Sequence, residues 1–137
     1  MTTIKTFHDF EAFKKAREFT KEVGRLTHSG RFAHDKVLVT QCRKALLSVL
    51  SNFAEGFERD GNQEFVQFLS ISKGSLGEIR AQLVYALDQE YIDEQSYSRL
   101  DELGSAAARL NSGLIAHLRR SQLKGRKFRV RSPRING

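Results

Sequence analysis

Two glutamates, Glu55 and Glu78, stand in short polar runs, Ser51-Asn52-Phe53-Ala54-Glu55-Gly56-Phe57 and Lys73-Gly74-Ser75-Leu76-Gly77-Glu78. Brought together, two carboxylates could divide general acid and general base work between them. A third catalytic member is missing, because no His, Ser or Lys is spaced as a partner for the pair. The same glutamates, with Asn52 and Ser75, suit a polar network that hydrogen-bonds across helices or between subunits, with Arg43 or Arg80 as cation partner. Such a network must be satisfied throughout and can fix register. The structural role fits these residues better, so no catalytic residue is assigned and the chain is read as a non-enzyme.

Metal chemistry is no better supported. A di-metal bundle centre needs Glu-x-x-His on two helices, and none of His8, His28, His34 and His117 has a Glu three residues before it. No metal and no cofactor is therefore expected. Cys42, the lone cysteine, falls on an apolar stripe and reads as a small hydrophobe rather than a nucleophile. It also excludes an intrachain disulfide framework and fits a reducing compartment.

The chemistry that is concentrated is cationic. Residues 1–123 carry seventeen Lys and Arg against sixteen Asp and Glu, whereas 124–137 hold six cations and no acid. Those six, Lys124, Arg126, Lys127, Arg129, Arg131 and Arg134, follow the pair Arg119-Arg120. A nearly neutral body with a basic strap points to a polyanionic partner, nucleic acid above all. Phosphate contact needs only cations. Base-specific readout is not indicated, since Phe128 is the one aromatic available for stacking in that segment.

The body that must position these groups fits one domain of 137 residues, with 39% hydrophobic and 28% charged residues. Residues 1–10 lack the apolar run of a signal peptide and no uncharged stretch could span a bilayer, so a cytoplasmic location without membrane contact is expected. The one proline is Pro133, which leaves every earlier helix unbroken. Four segments show helical periodicity. Phe10, Phe13, Ala16, Thr20 and Val23 mark the first, and Leu38, Cys42, Ala45, Val49 and Phe53 the second. Phe65, Leu69, Leu76, Ile79 and Leu83 mark the third, and Leu100, Leu103, Ala107, Leu110, Leu114 and Leu118 the fourth. Thr6 with Asp9 resembles a capping box, and Asp93 is placed to cap the last helix.

The resulting expectation is an all-α, antiparallel up-down-up-down four-helix bundle over residues 1–123, with helices near 7–28, 35–59, 63–90 and 94–122, then a basic segment 124–137. Apolar positions on the second helix cover an arc of roughly 200°, twice what a one-sided helix buries. Self-association through Leu46, Leu47 and Leu50, with Gly74 and Gly77 on the next helix, would account for the excess.

The runs around Glu55 and Glu78, with the opening Phe10-Glu11-Ala12-Phe13-Lys14-Lys15-Ala16 and the later Gly113-Leu114-Ile115, resemble the family of 23S rRNA intervening-sequence proteins over about residues 7–123. The resemblance implies a four-helix bundle that assembles into a homopentameric ring, associated with nucleic acid and without catalytic activity. A related branch, the accessory variability proteins of diversity-generating retroelements, implies the alternative of an adaptor ring docking on a reverse transcriptase. Leu50 stands where many relatives have proline, which implies a straighter second helix. The partners expected are copies of the chain itself, nucleic acid, and in the alternative a protein.

Overall fold

The computed structural model describes residues 3–124, with side chains for residues 3–121. Four long helices and no strand occur among the described residues. The first helix starts later than its periodicity suggests. Phe7–Asp9 form a separate 3-10 turn, closed by a capping box in which the Thr6 N–H donates to Asp9 Oδ2 at 3.0 Å. Phe10 is then extended (φ −75°, ψ 133°), and α1 begins after it, Glu11–Leu26. Two backbone N–H donors, from Lys5 and Thr6, hold the Asp9 carboxyl below the usual carboxylate range.

The gap left between the first two expected helices, residues 29–34, holds a short helix, α2 (Gly30–His34). Gly30 enters it at φ 60°, a conformation that suits a residue without Cβ. Phe32 is its anchor, buried beside Tyr91. Asp35 then caps α3 (Lys36–Glu58), accepting from the Leu38 N–H at 3.0 Å. Its other oxygen accepts from the Tyr91 hydroxyl at 2.8 Å, which ties the start of α3 to the connection between the last two helices. α3 runs 23 residues without interruption, in keeping with Leu50 in place of proline. Gly61 (φ 91°) turns the chain into α4 (Asn62–Asp88). Asp93 caps α5 (Glu94–Lys124) through the Ser96 N–H at 2.7 Å.

Broad contacts join α3 to α4, α4 to α5 and α1 to α5, with a narrower one between α1 and α3. Across the first, Ser48 and Ser75 share a hydroxyl hydrogen bond of 2.7 Å and Ser72 donates to the Val49 carbonyl at 2.7 Å. Across the second, Arg80 grips both oxygens of Asp101 at 2.9 and 3.4 Å. Across the third, Arg99 reaches Glu22 at 3.3 Å.

The core has two parts. One is mainly aliphatic, built on Val23, Leu38, Val49, Leu76, Ile79, Leu83 and Leu100. The other gathers Phe10, Phe13, Phe53, Phe57 and Phe65, whose rings meet edge to face at centroid distances of 5.2 to 6.0 Å. Each such pair contributes about 0.5–1.5 kcal/mol beyond the area it buries. Leu50 packs against both parts and joins them.

The wide apolar arc of α3 is absorbed mostly within the chain, which corrects the sequence expectation. α3 has α1 on one side, α4 on the other and α2 over its start. Leu46 is buried (9%) in the aliphatic core, so it leaves the set of outward residues. Leu50 is half-buried, and Leu47 stays outside at 68%. Val37, not singled out from the sequence, is more exposed still at 74%.

Candidate nucleic-acid interface

The polar residues of the two motifs do not form one site. Asn52 Nδ2 donates to the Ser48 carbonyl at 2.9 Å and contacts its hydroxyl at 3.0 Å, and Ser48 bonds Ser75. That chain of Asn52, Ser48 and Ser75 is the network that exists. Ser48, its centre, was not among the residues expected. Glu55 is outside it, paired with Arg59 four residues on at 2.8 Å, and this bond raises the Arg59 guanidinium above its ordinary value.

Glu78 is exposed on α4. The contacts of Ser48 with Ser75 and of Val49 with Ser72 put Glu78 beside the stretch of α3 near Ala45. That is about ten residues from Glu55, or roughly 15 Å along the axis. The two carboxylates therefore do not form a pair. The expected cations are engaged elsewhere as well. Arg80 is held by Asp101, which raises its pKa, and Arg43 Nε donates to Thr27 Oγ1 at 3.0 Å while its Nη2 meets His28. Cys42 is fully buried and burial pushes its thiol up to about 11, which keeps it protonated and inert. No cluster of three or more His, Cys, Asp or Glu suited to a metal occurs among the described residues.

The cationic residues divide by position. Arg119 and Arg120 are exposed near the end of α5, and neither has an ion pair among the described residues. Lys124 is the last residue of α5. Arg126, Lys127, Arg129, Arg131 and Arg134 lie outside the described residues.

An open groove of about 500 Å³ runs between α4 and α5 beside this end. Ser70, Lys73 and Gly74 line it from α4, and Ser112, Ile115 and Arg119 from α5. Lys73 was missed from the sequence because it opens a run read for its glycines and its polar residues, and nothing linear links position 73 to position 119. Gly74 and Gly77 are exposed, and a Cβ on either would meet nothing within 4 Å. A second concavity, of about 350 Å³, lies between α3 and α4 and is lined by Val37, Leu38, Gln41, Ala81, Gln82 and Tyr85 among others. No described helix is long and apolar enough to cross a membrane.

A sequence model described as 23S rRNA-intervening sequence protein matches residues 8–113. The chain is similar in fold to a crystal structure of a protein with unknown function from the S23 ribosomal protein family of Bacteroides thetaiotaomicron. The two superpose with a TM-score of 0.69 over 77% of this chain and 95% of that one, at 19% identity. At that identity the likeness speaks for the fold alone. No curated protein matches the chain.

Proposed function

The chain belongs to the family of 23S rRNA-intervening sequence proteins, and from that premise we propose that it is a non-enzymatic, oligomeric scaffold that binds RNA or DNA through the phosphate backbone. The observation that carries this reading is the run of cations at one end of α5. Arg119 and Arg120 stand exposed and without ion pairs among the described residues, and the sequence continues from them into six more cations without an acid. Elsewhere on the bundle, Lys14, Lys15, Arg25, Arg59, Arg80 and Arg99 each face a carboxylate within 4 Å, whereas others such as Arg17, Lys21 and Lys44 have no ion pair among the described residues, so the acid-free run itself is what sets this end apart. Cations left without carboxylates suit a ligand that brings its own negative charge.

The scaffold is an antiparallel up-down-up-down bundle. Supporting that topology, residue numbers rise on one helix as they fall on its neighbour: Ser48 with Ser75 and Gly56 with Phe68, or Phe19 with Gly104 and Glu22 with Arg99. Copies close into a ring, a pentamer by family resemblance, through the outer side of α3 and α4. Val37, Leu47, Ile71 and Tyr85 support this surface, being 74%, 68%, 51% and 47% exposed. A ring gathers several basic segments, and multivalent display raises the effective affinity without new contacts.

The test is a salt titration of the full chain against labelled duplex and single-stranded probes, with solution mass measured in parallel. Six phosphate contacts per subunit on a duplex give a slope of log affinity against log salt of roughly −5. Deleting 124–137, which takes away all six cations, should remove most of that slope. Binding that is unchanged by the deletion would take the basic segment out of the account, and a monomeric mass would remove the ring.

A further inference from the structure

We infer that the groove between α4 and α5 is a phosphate-binding site, with Lys73 and Arg119 as its two cations and Gly74 keeping its wall low. Lys73 and Arg119 come from different helices and line the same open space of about 500 Å³. Neither has an ion pair among the described residues, and no carboxylate is among the described residues that line the groove. Two cations that share a groove without a carboxylate repel one another, and a phosphate between them reverses that interaction. Ser112 adds a hydroxyl from the α5 side. Ser70 turns its own proton inward, donating to the Val66 carbonyl at 2.9 Å, so its contribution is limited to its small size.

Gly74 is the second, independent observation. A glycine inside a helix is unfavourable relative to alanine, and here no neighbouring atom lies within 4 Å of where a Cβ would stand. Packing inside the chain therefore does not call for glycine at this position. Something that approaches the α4 backbone from outside does, a ligand or a second copy, and the two cations beside Gly74 favour an anionic ligand. The groove is wide and open rather than a closed anion cage, which favours a chain of phosphates over a single small anion. It also contains Arg119, one of the two exposed arginines at the end of α5. The source of the phosphate, though not the site, rests on the nucleic-acid reading.

The test uses the full-length chain, the double variant K73Q/R119Q and Gly74→Gln, with a labelled oligo(U) RNA and, separately, inorganic phosphate at constant ionic strength. On the single strand the double variant should lose about 1.4 from the salt slope, two contacts at about 0.7 each. Gly74→Gln should weaken binding while raising the melting temperature, which separates blocking from misfolding. If the slope is unchanged but inorganic phosphate shifts the Gly74 amide resonance saturably, and K73Q/R119Q abolishes that shift, the site takes a free phosphate. If neither effect appears, the groove is not a phosphate site, and RNA binding that survives keeps the nucleic-acid reading on the basic segment alone. Loss of solution mass in the double variant, with RNA binding intact, would assign the groove to a neighbouring copy and overturn the proposal. No RNA binding by the unaltered chain removes the nucleic-acid reading, and the phosphate titration then decides the groove by itself.

Discussion

Gly104 and Gly74 sit inside long helices, α5 and α4, and their surroundings are opposite. A Cβ at Gly104 would stand 2.7 and 2.8 Å from the ring of Phe19, a side chain with no exposed surface, and 3.2 Å from Arg80. The absence of a side chain there lets α1 and α5 close on each other. Gly56 repeats the arrangement against Phe68 Cβ at 2.6 Å. At Gly74, Gly77 and Gly113 the same construction finds open space. A helix-interior glycine costs about 1 kcal/mol relative to alanine. At Gly104 and Gly56 close packing offsets that cost. At the open positions nothing inside the chain does, which directs attention to what lies outside.

The largest effect that could break this contrast is at its closed end. Phe19→Ala removes a fully buried ring and should destabilise the chain by about 3–5 kcal/mol in denaturant unfolding. Gly104→Ala alone should cost up to about 2 kcal/mol, the overpacking penalty of about 1–3 less a gain of about 1 in helix propensity. In the Phe19→Ala background the two contacts under 3 Å are gone and only the flexible Arg80 side chain stays close, at 3.2 Å, so the same glycine substitution should become neutral or stabilising by up to about 1 kcal/mol. Additive effects across this cycle would show that Phe19 is not what Gly104 accommodates.

Gly77→Ala and Gly113→Ala sharpen the other end of the contrast. Each should stabilise the isolated chain by about 1 kcal/mol, since the added methyl meets nothing. Should either destabilise the protein in a manner that depends on its concentration, a second copy occupies that space in solution.

The division between closed and open glycines was only half legible in the sequence. That Gly74 and Gly77 stand outside the stripe of Phe65, Leu69, Leu76, Ile79 and Leu83 follows from the spacing of that stripe, which depends on one helix alone. The closure at Gly104 requires knowing that α5 runs beside α1, which is long-range information. The same limit explains α3. Its broad apolar arc could be read directly, but whether neighbours or another copy cover it depends on how many helices surround it. Three helices and the Phe7–Asp9 turn of the same chain do, and Leu46 went inside. Local signals fared best: Thr6 with Asp9 and the cap at Asp93 are set by hydrogen bonds within four residues. Lys73 and Arg119 lie 46 positions apart and meet only through the α4–α5 contact. No spacing rule joins them.

Leu46 and Leu47 bring the contrast down to neighbouring residues, and here the smallest effect on stability is the informative one. Leu46, 9% exposed, packs in the aliphatic core, and Leu46→Ala should cost about 2–5 kcal/mol. Leu47, 68% exposed, touches little of its own chain, and Leu47→Ser should alter the stability of the isolated chain by no more than about 0.5 kcal/mol. If α3 meets another copy through this side, the same substitution puts a polar group into a surface that excludes water. Association should then weaken even though the fold does not. Sedimentation across a concentration series reads that directly: a lighter species at unchanged helicity locates the contact at Leu47. An unchanged mass would leave Leu47 as an isolated exposed leucine, of a kind that soluble surfaces carry without consequence.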